Sequence, residues 1–401
     1  MHRHRRFGSH IPRKSGGRTI DAPGLVDEFR ARELSRRDLL QGAITGSAVF
    51  LGGSLIGCGS DRDGRGAGTD AGGPGDAGGG TDSGPADAGV DAAPRPLHLV
   101  GMGYSETSGI EAMDAALAET IGLSFIAPGD TVYFKVNCNN GDDYPHSTSP
   151  DVIVELAQRC RDAGASRIIV GDRSFWGDPR TLTNMRSNGV AQAAEDAGAE
   201  LMVFDDAAVD WVAIPETDSP TWVGGFRLPV PVMEANHIIN LPLVKTHFIS
   251  TFTMALKNFL GVVNPVDRAR EGNLDVHITS RLWRQIAEVN QHLTPSLNVL
   301  DGWRALITGG PGMTEGAGAS YADPRVVVVS TDRIATDVTG IAILQTFSPP
   351  SEDVTRSTPW SNLQISTAVG HDLGITGPGM YDLSGPTVPT IEDYRALAVR
   401  S

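Results

Sequence analysis

Lys245, His247 and Lys257 are three potential cations close together in a chain whose formal net charge is −15. The first two lie in Asn240-Leu-Pro-Leu-Val-Lys245-Thr-His247, and Lys257 is followed by Asn258. Two ammonium groups and an imidazole at this spacing suit an anion, either a phosphate or a carboxylate. Ser250 and Thr251 open a predicted helix over 251–260, whose free N–H groups and dipole would add to that attraction. His247 and Lys245 are also groups that transfer protons once their surroundings shift them. A blander reading stands beside this one: Lys257 is a solvated helix residue and Lys245 pairs with an aspartate.

Aspartates and amides recur elsewhere in one pattern. The apolar run 131–136 leads into Asn137, Cys138, Asn139 and Asn140, and 168–170 leads into Gly171, Asp172, Arg173 and Ser174. Likewise 201–204 leads into Asp205 and Asp206, 297–300 into Asp301 and Gly302, and 326–329 into Ser330, Thr331 and Asp332. One such aspartate is an ordinary turn residue. Repeated on successive strands, they would gather at the carboxyl ends of a parallel sheet, where open α/β sheets bind ligands. On this reading His247, Lys245 and Asp172 are catalytic, while Lys135, Asn137, Lys257 and Asn258 contact substrate. Asp301 and Asp332 would hold a divalent metal or handle protons. Gly310 and Gly312, in Gly309-Gly310-Pro311-Gly312, would turn N–H groups toward the anion, although a plain turn explains them equally. Cys138 is a candidate nucleophile or ligand; Cys160 shares a predicted helix face with Ile153 and Leu156 and belongs in the core.

The elements that must position these residues alternate. Apolar strand-like runs are separated by helical patterns over 110–121, 150–163, 189–197, 281–292 and 335–345, with Ser149 as N-cap and Pro150 at the first position of the second. Such alternation predicts an α/β fold, with a mostly parallel sheet and helices on both faces. The proline-rich stretch 211–233 interrupts it as a β-rich insertion. Residues 96–347 make the domain, and 348–401, rich in Ser, Thr, Pro and Gly, form an extension packed on it.

Ahead of the domain lies an address. Arg36 and Arg37 precede a Gly/Ala-rich, weakly hydrophobic run that ends in Leu55-Ile56-Gly57-Cys58. The twin arginine resembles a Tat signal, read by the machinery that exports folded proteins, and the end of the run resembles a lipobox with Cys58 as the lipidated residue. Residues 1–57 are therefore a lipoprotein signal, and the processed chain is expected in the cell envelope, periplasmic or at the outer membrane. It would be held there by the lipid on Cys58 after lipoprotein-processing enzymes act. Residues 58–95 are a tether: 59–95 hold twelve Gly and seven Asp, too little apolar surface to offset the entropy of ordering. The acidic balance excludes nucleic acid as a partner. With three cysteines and no CxxC, an intrinsic iron–sulfur cluster is not expected.

Lys135-Val-Asn137, Thr148-Ser-Pro150, Val170-Gly-Asp172, the Lys245-Thr-His247 segment, Thr253-Met-Ala-Leu-Lys257-Asn258-Phe-Leu-Gly261 and Asp301-Gly302 together resemble the family catalogued as domain of unknown function 362. The likeness covers about 97–345. Members often accompany ferredoxin-type domains, so the resemblance implies redox chemistry. Here, without cysteine pairs, that would require a separate redox partner. A fainter similarity, to nickel-pincer lactate racemases, would match His247-Phe248 and Lys257. The leading expectation is a redox or metal-assisted enzyme acting on a small anionic substrate. Its rivals are a non-catalytic anion-binding surface lipoprotein and a purely structural envelope protein.

Overall fold

A computed structural model of the chain describes residues 99–175, 180–205, 209–273, 281–311 and 318–401. Arg36, Arg37, Cys58 and Gly312 lie outside the described residues. In chain order the first half comprises β1 (Val100–Tyr104), α1 (Gly109–Ala118), β2 (Thr131–Lys135), α2 (Pro150–Ala163), β3 (Arg167–Asp172), α3 (Thr181–Ser187), α4 (Val190–Asp196), β4 (Glu200–Val203), β5 (Trp211–Ile214), β6 (Phe226–Pro229) and α5 (Val230–Met233). There follow β7 (His237–Asn240), β8 (Leu243–His247), β9 (Thr251–Phe252), α6 (Ala255–Asn258), a 3-10 turn (Phe259–Val262), α7 (Pro265–Arg268) and α8 (Leu282–Gln291). The chain closes with β10 (Leu297–Thr308), β11 (Ser320–Ala322), β12 (Val326–Ser330), α9 (Arg333–Phe347), α10 (Leu363–Gly370), β13 (Leu383–Ser384) and α11 (Pro389–Ala398).

The strands build one large sheet in the order β13-β1-β12-β10-β7-β2-β3-β4, and β5 pairs with β6 in a separate two-stranded sheet. Strands β10, β7, β2, β3 and β4 run parallel, while β12 runs antiparallel to both β10 and β1. Successive strand residues feed opposite faces. Val132 and Phe134 pack with α1, α2 and α4, whereas Tyr133 joins the core on the other face with α8 and α9. Both faces are therefore covered, the arrangement expected for strands that read as continuous apolar runs. The 211–233 insertion is the β5–β6 hairpin and α5.

Helix α9 is buried along nearly its whole circumference. A helix buried all round needs cover on both sides, and residues 348–401 contribute to it. Strand β13 joins the sheet beside β1, and Tyr394 of α11 is fully buried. Among the described residues no helix is long and apolar enough to cross a membrane.

The expected helix over 251–260 is corrected. Thr251 takes φ 64° and pairs with His247, so that β8 and β9 form a tight hairpin before α6 begins at Ala255. The backbone N–H groups at the start of α6 are already used: Ala255 and Leu256 donate to the Asp337 carboxylate of α9 at 2.6 and 3.1 Å. No anion site exists at that helix start.

Candidate functional site

The exits of β2, β3 and β7 lie level with one another, because Lys135 pairs in register with Gly171 on one side and Asn240 on the other. Thr148 gathers the loop that leaves β2. Its hydroxyl accepts from Asn137 N and donates to Leu241 O, while its own N–H donates to Asn137 O. Two further bonds join this loop to the exit of β3: Cys138 N donates to Asp172 Oδ2 at 2.8 Å, and Phe175 N donates to Asn139 O.

Inside this frame runs a chain of polar side chains whose direction is fixed by its lysines. Lysine can only donate, so the Asn137 amide must turn Oδ1 toward Lys245 Nζ, at 2.6 Å. Its Nδ2 then donates to Asn258 Oδ1, which also accepts from Lys135 Nζ. Asn258 Nδ2 in turn donates to Asn240 Oδ1, and Asn240 Nδ2 to Asn298 Oδ1. Lys135 completes the chain with a buried ion pair to Asp172 Oδ1 at 2.7 Å. Burial pulls Lys135 below the ordinary lysine value, against the Asp172 carboxylate, which holds it up. Gly261 makes the pair possible: a Cβ there would sit 2.1 Å from Asp172 Oδ1.

The network opens into a cleft of about 50 Å³, with room for roughly three or four waters or one small oxyanion. Lys135, Lys257, Arg173 and Arg268 bring positive charge to its walls, and Asp172 brings a carboxylate; Asn137, Asn139, Asn258 and Thr253 add neutral polar groups. Asp205 pairs with Arg173 at 3.3 Å. Arg268 is 5% exposed, and its Nε has no hydrogen-bond partner among the described residues. Burial, reinforced by the neighbouring Arg173 charge, pushes its guanidinium down to about 9, which leaves it cationic at neutral pH. A buried guanidinium with an unanswered N–H is costly unless something completes it.

Five of the residues expected at the site line this cleft: Lys135, Asn137, Asp172, Lys257 and Asn258. Lys245 is fully buried and reaches the network through Asn137 and through His146 O at 2.7 Å. His247, Gly310, Asp301 and Asp332 do not line it. The Nδ1 of His247 accepts from Ile249 N and Ser250 N, closing the turn between β8 and β9. Gly310 packs against β8, where a Cβ would meet Thr246 O at 1.9 Å, and its carbonyl accepts from Phe248 N. Asp301 Oδ1 accepts from Tyr144 OH and Trp303 N.

Asp332 caps α9, accepting from Ala335 N and also from Ile375 N. It is separated from the cleft by strand direction, since antiparallel β12 leaves the sheet toward the opposite rim. Asp301 and Asp332 therefore do not form a shared metal site. Among the described residues no group of three or more His, Cys, Asp or Glu side chains is disposed to hold a metal. Burial pushes the Cys138 thiol up to about 12, so it stays protonated and is no nucleophile at neutral pH; Cys160 is equally buried.

Sequence reasoning missed Arg268. Its one signal was Asn264-Pro265, a cap followed by proline that announces a new short helix; the Asn264 side chain does accept from Val266 N.

Fold and cleft define an α/β protein with a small cationic pocket at the carboxyl rim of its parallel strands. The chain belongs to the family described as Domain of unknown function (DUF362), whose model matches residues 132–342. Among curated relatives, the Thylakoid-associated protein of Synechocystis sp. is 29% identical over 230 residues, which cover 55% of this chain and 65% of that protein. The match thus spans a little under two thirds of that relative's length.

Proposed function

We propose that this protein is an enzyme acting on a small anionic substrate, whose charged group enters the cleft beside Arg268. The observation that carries the reading is the buried Arg268 Nε without a partner, next to Arg173. An oxyanion in the cleft that Arg268 lines would offset two neighbouring guanidinium charges, and arginine is the side chain best suited to bind carboxylate or phosphate. Asp172 favours chemistry over mere capture: a carboxylate held by Lys135 in an anion pocket weakens simple binding. Lys257 and Asn137 would orient the substrate, and Lys245 would fix the Asn137 amide.

Metal assistance finds no group of three or more His, Cys, Asp or Glu side chains among the described residues, and redox assistance is what the family resemblance implies. A separate redox partner is the form such assistance would take. We further propose export through Arg36 and Arg37 and anchoring through Cys58, which would place the cleft in the cell envelope.

The reading is tested by thermal denaturation of the purified protein with phosphate, malonate or acetate, at constant ionic strength against chloride. Stabilisation by phosphate or by a carboxylate identifies the anion class, and it should vanish in Arg268→Gln. Equal midpoints in all four salts would overturn the proposal.

A further inference from the structure

Helix α7 has four residues, too few to be stable by its own hydrogen bonds. Something else must hold Arg268 at the cleft wall. The next residue back, Asp267, is fully buried and points its carboxylate the other way, into the β5–β6 insertion. There it meets a two-armed clamp. Arg227 of β6 donates from Nε to Oδ2 at 2.8 Å and from Nη2 to Oδ1 at 3.1 Å. Arg270 donates from Nη2 to Oδ1 at 2.5 Å, and its Nη1 reaches Val223 O and Gly225 O in the loop of the insertion.

The same arginine also binds the start of the helix. Arg227 Nη2 donates to Asn264 Oδ1, and Asn264 N donates to Arg227 O. Asn273, beyond the helix, donates from Nδ2 to Val223 O and to Asp267 O. The helix is thus fastened to the insertion at its cap, in its middle and past its end.

We infer that the β5–β6 insertion is a positioning device for the anion site, with Arg227 and Asp267 setting the angle at which Arg268 meets the anion. The inference rests on the reading of the cleft given above. Arg227 does not line the cleft and touches no substrate; it acts through Asp267, and so is a positioning residue. A guanidinium binds an oxyanion through directional bonds, so tilting α7 weakens binding even while the charge remains.

The test is calorimetric titration of inorganic phosphate into the full chain and four variants. Wild type binds, Arg268→Gln does not, and Arg227→Met binds at least about tenfold more weakly. Arg227→Lys, which can restore one arm of the clamp, recovers part of that loss. Asp332→Ala serves as the control for general destabilisation: it removes a helix cap at the other rim of the sheet and should leave phosphate affinity unchanged. If wild type binds and Arg268→Gln does not, yet Arg227→Met matches wild type, the insertion is no positioning device and the anion reading survives. Affinity lost equally in Arg227→Met and Asp332→Ala would also overturn it. If wild type and Arg268→Gln behave alike, both ideas fail together.

Discussion

Where β2 and β3 leave the sheet, polar side chains are joined to one another as well as to backbone; around β10, β12 and α9 the buried aspartates are taken up mainly by backbone. In the first region Lys135, Asn137, Asn258, Asp172 and Lys245 form one connected chain, and it opens onto Arg268 with an N–H still to be answered. In the second, three buried aspartates each accept from backbone N–H groups: Asp301 from Trp303 N, Asp332 from Ala335 N and Ile375 N, and Asp337 from Ala255 N and Leu256 N. Burial raises all three carboxyls, Asp301 to about 6 and Asp337 to about 7. The same residue type therefore lines a cationic cleft in one place and fastens segments in the other. Asp172 pairs with Lys135 at the wall of a cleft, whereas Asp301, Asp332 and Asp337 line no such opening and tie one segment to the next.

This contrast can be broken in three places. The largest effect is expected in Lys135→Met, which leaves the Asp172 carboxylate buried without its cation. Removing one partner of a buried pair costs about 3–5 kcal/mol, so the urea midpoint should fall steeply; a loss below about 1 kcal/mol would mean the pair is not what holds the β2 and β3 exits together.

Next comes Asp301→Asn, which sharpens the contrast through pH. A carboxyl raised on folding contributes stability that is complete below its unfolded pKa and is lost as pH rises through the folded value, here between about 4 and 6. Above that window the buried charge costs on the order of 3 kcal/mol. Asparagine keeps the Oδ1 acceptor used by Tyr144 OH and Trp303 N, so the variant should gain stability over wild type at pH 8 and lose that advantage at pH 4. Denaturation curves at the two pH values decide it, and an unchanged pH slope would contradict a buried, architectural Asp301. The smallest effect belongs to Asp332→Ala, which should lose about 1 kcal/mol of helix capping and no anion affinity.

Much of this frame was legible before any coordinates. Helix α2 spans Pro150–Ala163 as its sequence predicts, because Ser149-Pro150 and Gly164 delimit an amphipathic run. The insertion was legible in the prolines of 211–233, and the cleft residues Lys135, Asn137 and Asp172 in the polar ends of apolar strands. What periodicity does not encode is strand direction. Asp332 ends a strand as Asp172 does, but β12 runs the other way and delivers it to the opposite rim. Nor does periodicity show a two-residue strand: β9 pairs with the end of β8, and that turn takes up the His247 ring nitrogen. Arg268 stayed hidden because a four-residue helix has no period to read, and because its placement depends on Arg227, distant in sequence.

The central claim is that an anion completes the Arg268 guanidinium, and crystals of the protein soaked in selenate test it most directly. The account predicts an anomalous selenium peak within hydrogen-bond distance of Arg268, in the cleft walled by Arg173 and Lys257, and its disappearance in Arg268→Gln crystals. Peaks found only at the protein surface, with the cleft filled by water alone, would contradict it.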